Sequence, residues 1–204
     1  MPVSAAAASA PLFVTGAGVR PPAPAVPPPA GALRPALDRP SAPVVPLGPD
    51  IAPSPREVAR ALAARPTLWR PLVRYRDPRY HVRLTSGAGW EAWLLTWLPG
   101  QSTGLHDHGG SAGAFAVVAG SVDESLPLRG VVTEGEPARL ISRRYRTGQV
   151  RAFGSQHLHD VAARDGSAAV TLHVYAPRLT TMTRYALVDG RLEVTAREEE
   201  GADW

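Results

Sequence analysis

The chain has 204 residues with 22 prolines, 19 glycines, no cysteine and a net charge of +4. The lack of cysteine excludes disulfides and thiolate metal sites, and no apolar run approaches the roughly 18 residues of a membrane span. All 22 basic residues are arginine. They alternate with acids along the chain, which reads as a solvated surface rather than a nucleic-acid footprint.

Residues 1–53 hold 14 of the 22 prolines and many alanines. Such a stretch keeps no periodicity and cannot bury a core, so it predicts a disordered Pro/Ala-rich tail. Pro2 and Val3 replace a basic start, and the alanine run is short, which argues against a signal peptide. An upstream mis-assigned start codon is the other reading of this stretch. The folded domain is expected over 54–204.

Ser54-Pro55-Arg56-Glu57 supplies an N-cap, a first-turn proline and an early acid. With Val58, Ala61 and Leu62 at helical spacing, it predicts one amphipathic helix over Ser54–Ala64, ending before Pro66. Beyond it, β-rich runs alternate with turns: Val82–Thr85, Glu91–Trp97, Leu105–His106, Ala114–Ala119, Leu140–Tyr145, Val150–Phe153, Ala168–Tyr175, Thr183–Val188 and Arg191–Thr195. Short strands with turn signals and no further helix indicate an all-β sandwich or barrel. Asp189-Gly190 reads as the turn of a terminal hairpin.

Four of the six histidines lie in two blocks about fifty residues apart. His106 and His108 share a face if that block is extended, and His159 and His173 follow in the second. Two imidazoles on one face plus a third from a later strand is how a barrel builds a three-histidine metal site. A surface pair, or a hydrogen-bonded interior pair, is the plainer alternative. The apolar run Trp93–Leu98, a Pro-Gly turn, the histidines, then Gly109, Gly110, Gly113 and the apolar run Ala114–Val118 closing at Gly120 match a small cupin-type jelly-roll barrel. No acid lies between His108 and Asp123, so the ligand set would be all-histidine. Three histidines also describe catalytic zinc sites.

The chain resembles the thiol dioxygenases, and the cysteine dioxygenases among them. The resemblance rests on His106-Asp-His108, Trp97, Gly120, Leu158-His159-Asp-Val and Thr171-Leu-His173-Val-Tyr175-Ala-Pro177, and covers roughly Arg65 to Tyr185. It implies Fe(II) held by His106, His108 and His159. It also implies a relay of Thr171, His173 and Tyr175, and an early-strand arginine, assigned to Arg83, that binds a substrate carboxylate. Gly113 stands where the animal enzymes carry a cysteine crosslinked to the tyrosine, so Tyr175 is expected to be a free phenol. His157 shares a strand face with His159 and competes as a ligand. His81 is expected at the surface, and Trp93 and Trp97 in the barrel wall. The implied function is oxidation of L-cysteine by O2 to cysteine sulfinate, in the cytoplasm, by a monomer or weak dimer without nucleic-acid or membrane partners. Another small thiol such as 3-mercaptopropionate, or a non-catalytic metal-binding cupin sensor, is the alternative.

Overall fold

The structure, a computed structural model, describes residues 53–130 and 132–199. The expected tail over residues 1–53 lies outside the described residues except for Pro53. No helix among the described residues is long and apolar enough to cross a membrane.

The first helix, α1, spans Pro55–Ala63. Its start is a capping box: the Ser54 hydroxyl accepts from the Glu57 amide at 3.3 Å, and the Glu57 carboxylate accepts from the Ser54 amide at 2.9 Å. Val58, Ala59 and Leu62 are its buried stripe. A one-turn helix α2 (Pro66–Trp69) follows and runs into a 3-10 turn, Arg70–Leu72. The expected N-terminal helix is α1, with a single further turn after it. Pro66 ends α1 but also opens α2, because its fixed φ suits a first helical turn.

Eleven strands follow among the described residues. One sheet contains β1 (His81–Gly87), β2 (Trp90–Trp97), β9 (Ala169–Ala176), β4 (Ala112–Ala119) and β7 (Val150–Phe153), in that order. A second is β6 (Leu140–Arg146), β5 (Ser121–Pro127) and β8 (Asp160–Ala162); a third is β11 (Arg191–Glu199), β10 (Thr181–Val188) and β3 (Leu105–His106). All strand pairings among the described residues are antiparallel. His106 and His159 exchange both backbone hydrogen bonds, at 2.9 and 3.0 Å. That bridge joins the two three-stranded sheets into one layer opposite the five-stranded sheet, giving the all-β, cupin-type double-stranded β-helix.

The five-stranded sheet is buried on both faces. Leu94, Ala116, Leu172 and Val174 pack with Val58, Ala59 and Leu62 of α1 on its outer face. Leu95, Trp97, Phe115, Val117 and Tyr175 face the barrel interior. β9 therefore reads as a nearly continuous buried run while its residues still alternate in partner. Strands β5 and β8 are absent from the sequence expectation. β5 turns Asp123, Glu124 and Ser125 into buried positions, so it lacks the apolar pattern that marks a strand.

Candidate metal centre and pocket

His106 ends β3, His108 lies two residues on, and His159 immediately precedes β8. Their side chains meet inside the barrel. Ring centroids stand 4.9 Å (His106–His108), 4.8 Å (His106–His159) and 5.0 Å (His108–His159) apart. One nitrogen from each lies within 4.8 Å of the other two. The residues are 3, 0 and 1% exposed.

Hydrogen bonding fixes the tautomers of two rings. His106 Nδ1 lies 2.9 Å from the Gly104 carbonyl, and His159 Nδ1 lies 2.9 Å from Glu124 Oε1. Both partners only accept, so each Nδ1 carries a proton and each Nε2 keeps a lone pair. Neither nitrogen of His108 has a hydrogen-bond partner, although both are buried. Burial, then the neighbouring imidazoles, hold His106 and His108 well below the usual histidine range. Burial lowers His159 too, against a partial counter-effect of Glu124. Three neutral imidazoles with free lone pairs are the protonation state that a divalent cation requires. The unpartnered His108 is the sign that the site fits a metal, since a buried polar atom without a partner is costly.

The residues flanking the ligands brace them. Asp107 accepts from the amides of Gly109 and Thr183, both at 3.1 Å, and from the Tyr185 hydroxyl at 2.8 Å. Burial and the Asp107 contact push the Tyr185 phenol up to about 12. Asp160 accepts from Ser102 at 2.6 Å and Arg164 at 2.5 Å.

Thr171, His173 and Tyr175 line up along the inner face of β9, as strand alternation requires. Thr171 Oγ1 is 2.9 Å from His173 Nε2, and the Tyr175 hydroxyl is 3.4 Å from His173 Nδ1. Trp97, expected only as barrel wall, is fully buried and also donates its indole N–H to Thr171 Oγ1 at 2.9 Å. That donor orients the chain. Thr171 then gives its own proton to His173 Nε2, His173 gives Nδ1–H to the phenol oxygen, and the Tyr175 proton is left for the cavity. In the reverse order the Thr171 hydroxyl would accept from both Trp97 and His173 and its own proton would have no partner among the described residues. Burial lowers His173 to about 3, and burial raises the Tyr175 phenol well above its ordinary value. Both are neutral at physiological pH.

A cavity of about 40 Å³ touches His106, His173, Tyr175, Trp93, Arg79 and Arg184. It shares Arg79, His81, Thr103 and Arg184 with a wider, open depression of about 660 Å³. Arg83 is not part of either lining. It pairs with Trp93, which pairs in turn with His173, so Arg83 lies on the inner-face row but at the exposed sheet edge beyond Trp93. A register shift follows it, between Arg83 and Thr85.

Two arginines line the cavity, Arg184 of β10 and Arg79, the latter four residues before Arg83 and just ahead of β1. Arg79 donates to the Ser102 carbonyl at 3.0 Å and lies 4.9 Å over the Trp97 ring. Burial and the charge of Arg184 lower it from its ordinary value. Sequence reasoning misses Arg79 because it precedes the strand; its shared parity with Arg83 is the available signal. His81 is likewise in the cavity wall, half-buried beside Trp93 at 5.9 Å, rather than at the surface.

Gly113 is required by packing. A Cβ there would lie 2.6 Å from the Phe153 ring and 2.9 Å from the Val174 carbonyl. The Phe153 ring is stacked on His108 at 4.9 Å and on His157 at 4.7 Å. His157 itself turns Nε2 to Glu124 Oε1 at 2.9 Å, and Glu124, His157 and His159 form a second group with metal-ligand types.

An antiparallel double-stranded barrel thus brings three neutral, buried histidines together beside a phenol and two guanidiniums, an arrangement suited to a divalent metal and an anionic ligand. The family model described as "Cysteine dioxygenase type I" matches residues 55–187. The chain belongs to that family, and its three-histidine site is the family's Fe(II) site.

Among solved structures, the chain is similar to the TT1209 protein of Thermus thermophilus, with 24% identity over 53% of this chain and 93% of that one, at a TM-score of 0.42. It is also similar to an uncharacterized conserved protein with a double-stranded β-helix domain from Klebsiella pneumoniae, with 14% identity over 53% of this chain and 80% of that one, at a TM-score of 0.44. Neither likeness is near enough to bear on activity.

Proposed function

We propose that the protein oxidises L-cysteine with O2 to cysteine sulfinate. His106, His108 and His159 are the metal ligands, Arg79 binds the substrate carboxylate in place of the expected Arg83, and Tyr175 completes that contact. The observation that carries this reading is the lining of one small cavity by a ligand histidine, two arginines and a tyrosine. Iron(II), when bound, supplies the one-electron chemistry that lets dioxygen react with a thiolate. The chain's own residues do the rest. Arg79 presents a planar fork to a carboxylate, a contact worth about 1.5–3 kcal/mol. Thr171 and His173 hold the Tyr175 phenol in a donating orientation. Trp93, Leu95 and Met182 line the cavity with apolar surface, which excludes water and strengthens both polar contacts.

The reaction balances without a reductant: a thiol and one O2 give a sulfinic acid, with both oxygen atoms on sulfur. Sulfur loses four electrons and dioxygen gains four. A small thiol and a cysteine-free chain suit a reducing cytosol. A second reading is favoured by one observation. The cavity lining has two arginines and no acid to face an ammonium group, so 3-mercaptopropionate, a carboxylate thiol without the amine, fits as well. Oxygen uptake by iron-loaded protein with cysteine, 3-mercaptopropionate and cysteamine is the test. Turnover of the first with 18O2 should place two labelled atoms in the sulfinate. Equal turnover of cysteamine would refute the carboxylate contact, and no uptake with any of them would leave a metal-binding sensor.

A further inference from the structure

The three ligand rings are not supported alike. His106 leans on a neutral carbonyl and His108 on no hydrogen-bond partner, but His159 leans on a carboxylate. That carboxylate, Glu124, is fully buried. It sits on β5 opposite Val161 of β8, in a strand whose neighbouring inner position is Val122. An apolar side chain there would continue the core. A buried carboxylate is expensive unless every lone pair is engaged.

Here it is engaged by three donors. Oε1 receives His159 Nδ1 and His157 Nε2, each at 2.9 Å, and Oε2 receives Arg151 Nε at 3.1 Å. Burial alone would raise this carboxyl; the two imidazole hydrogen bonds and the Arg151 charge outweigh it and hold it ionised.

We propose that Glu124 is a positioning residue for the metal centre: its Oε1 fixes the Nδ1–H tautomer and ring angle of His159, and the same oxygen occupies His157 and keeps it out of the ligand set. This rests on the three-histidine reading above. His157 and His159 are two residues apart with ring centroids 4.7 Å from each other, so without a discriminator either could turn toward the cavity. Glu124 discriminates because one oxygen with two lone pairs can accept one hydrogen bond from each ring. It takes Nδ1 of His159, leaving Nε2 as a donor to a metal. It takes Nε2 of His157, whose ring is then clamped by the Phe153 stack. Arg151, reaching across from β7, occupies the other oxygen, so the carboxylate cannot rotate without breaking an ion pair.

The test uses the full-length protein and reads metal rather than turnover. Outer carboxylates of this kind are worth roughly 10–100-fold in metal affinity. Glu124→Gln should therefore weaken Fe(II) binding by about that factor in competition with a chromogenic chelator, and Glu124→Asp should fall between it and wild type. His157→Ala should stay within about twofold of wild type. In protein labelled with 15N-histidine and loaded with Zn(II) as a diamagnetic stand-in, His159 should show the Nδ1–H tautomer in wild type and lose that single state in Glu124→Gln. A Glu124→Gln protein with a lowered Tm but unchanged metal affinity and tautomer would make Glu124 structural only. If Glu124→Gln does not fold, wild-type affinity in Glu124→Asp overturns the proposal. Metal loss in His157→Ala as severe as in His159→Ala would make His157 a ligand, and also overturns it. His108 does not touch Glu124, so an His108→Ala protein that keeps its iron would refute the three-histidine reading itself.

Discussion

On β9, Val170, Leu172 and Val174 face α1, while Thr171, His173 and Tyr175 face the barrel interior, the last two lining the cavity. Both triplets are buried to a similar depth, yet different physics holds them. The outer triplet is fixed by shape: any apolar side chain of the right volume satisfies it. The inner triplet is fixed by donor and acceptor order, running from the Trp97 indole to the Tyr175 phenol, and a substitution that preserves volume can still break it. Burial alone therefore does not separate scaffold from site in this barrel. The identity of the hydrogen-bond partners does.

The sharpest break in that comparison comes from the ligands. His108→Ala should abolish iron retention and thiol-dependent oxygen uptake, by more than about 100-fold, with iron content measured directly. On the outer face, Leu172→Ala should destabilise the fold by about 2–5 kcal/mol in denaturant unfolding. It should leave turnover per folded molecule unchanged; a specific loss of activity would mean the outer face is coupled to the chemistry. Arg79→Gln should lower kcat/KM for cysteine by roughly 10–100-fold, since about 1.4 kcal/mol corresponds to tenfold. Arg83→Gln should remain within about twofold, and the opposite ranking of these two variants would reinstate Arg83.

The two faces of β9 also differ in their response to pH. His173 is held near 3 by burial, then by His159 and Arg79, against about 6.5 in the unfolded chain. The unfolded state thus binds more protons between these values. The stability from a neutral His173 is present above about pH 6.5 and is lost as pH falls toward 3, at up to about 1.4 kcal/mol per pH unit. Unfolding of wild type and His173→Gln across that window should show a shallower slope for the variant.

The helix start, the His106–His108 pair and the shared face of Thr171, His173 and Tyr175 are legible in the sequence because each depends on residues within a few positions of one another, whereas His159, from a block about fifty residues on, is reached through the family resemblance. Ser54 and Glu57 cap within one turn, and Thr171, His173 and Tyr175 need only strand alternation. What stays hidden depends on partners far along the chain. Glu124 reads as a solvated acid until Arg151, His157 and His159 are brought to it. The same polar residues hide β5 as a strand. The sequence offers Arg83, whereas Arg79 is the one that lines the cavity, because parity gives the face of a sheet but not the depth. In the sheet register Trp93 stands between Arg83 and His173, and Trp93 lines the cavity with Arg79, which comes from the segment before β1. Likewise the Trp97 N–H has a role only once Thr171, 74 positions later, lies against it.

The backbone exchange between His106 and His159 makes the seam of the outer layer and the mouth of the metal site a single latch. The hydrogen bonds that zip two small sheets together are carried by two residues whose side chains hold the cation. Separating the sheets at that point parts two ligands, and a cation gripped by both rings resists the separation. Metal escape and amide exchange at these two positions then report one local opening rather than global unfolding. Iron held by these rings would pin the barrel wall as well as serve the reaction.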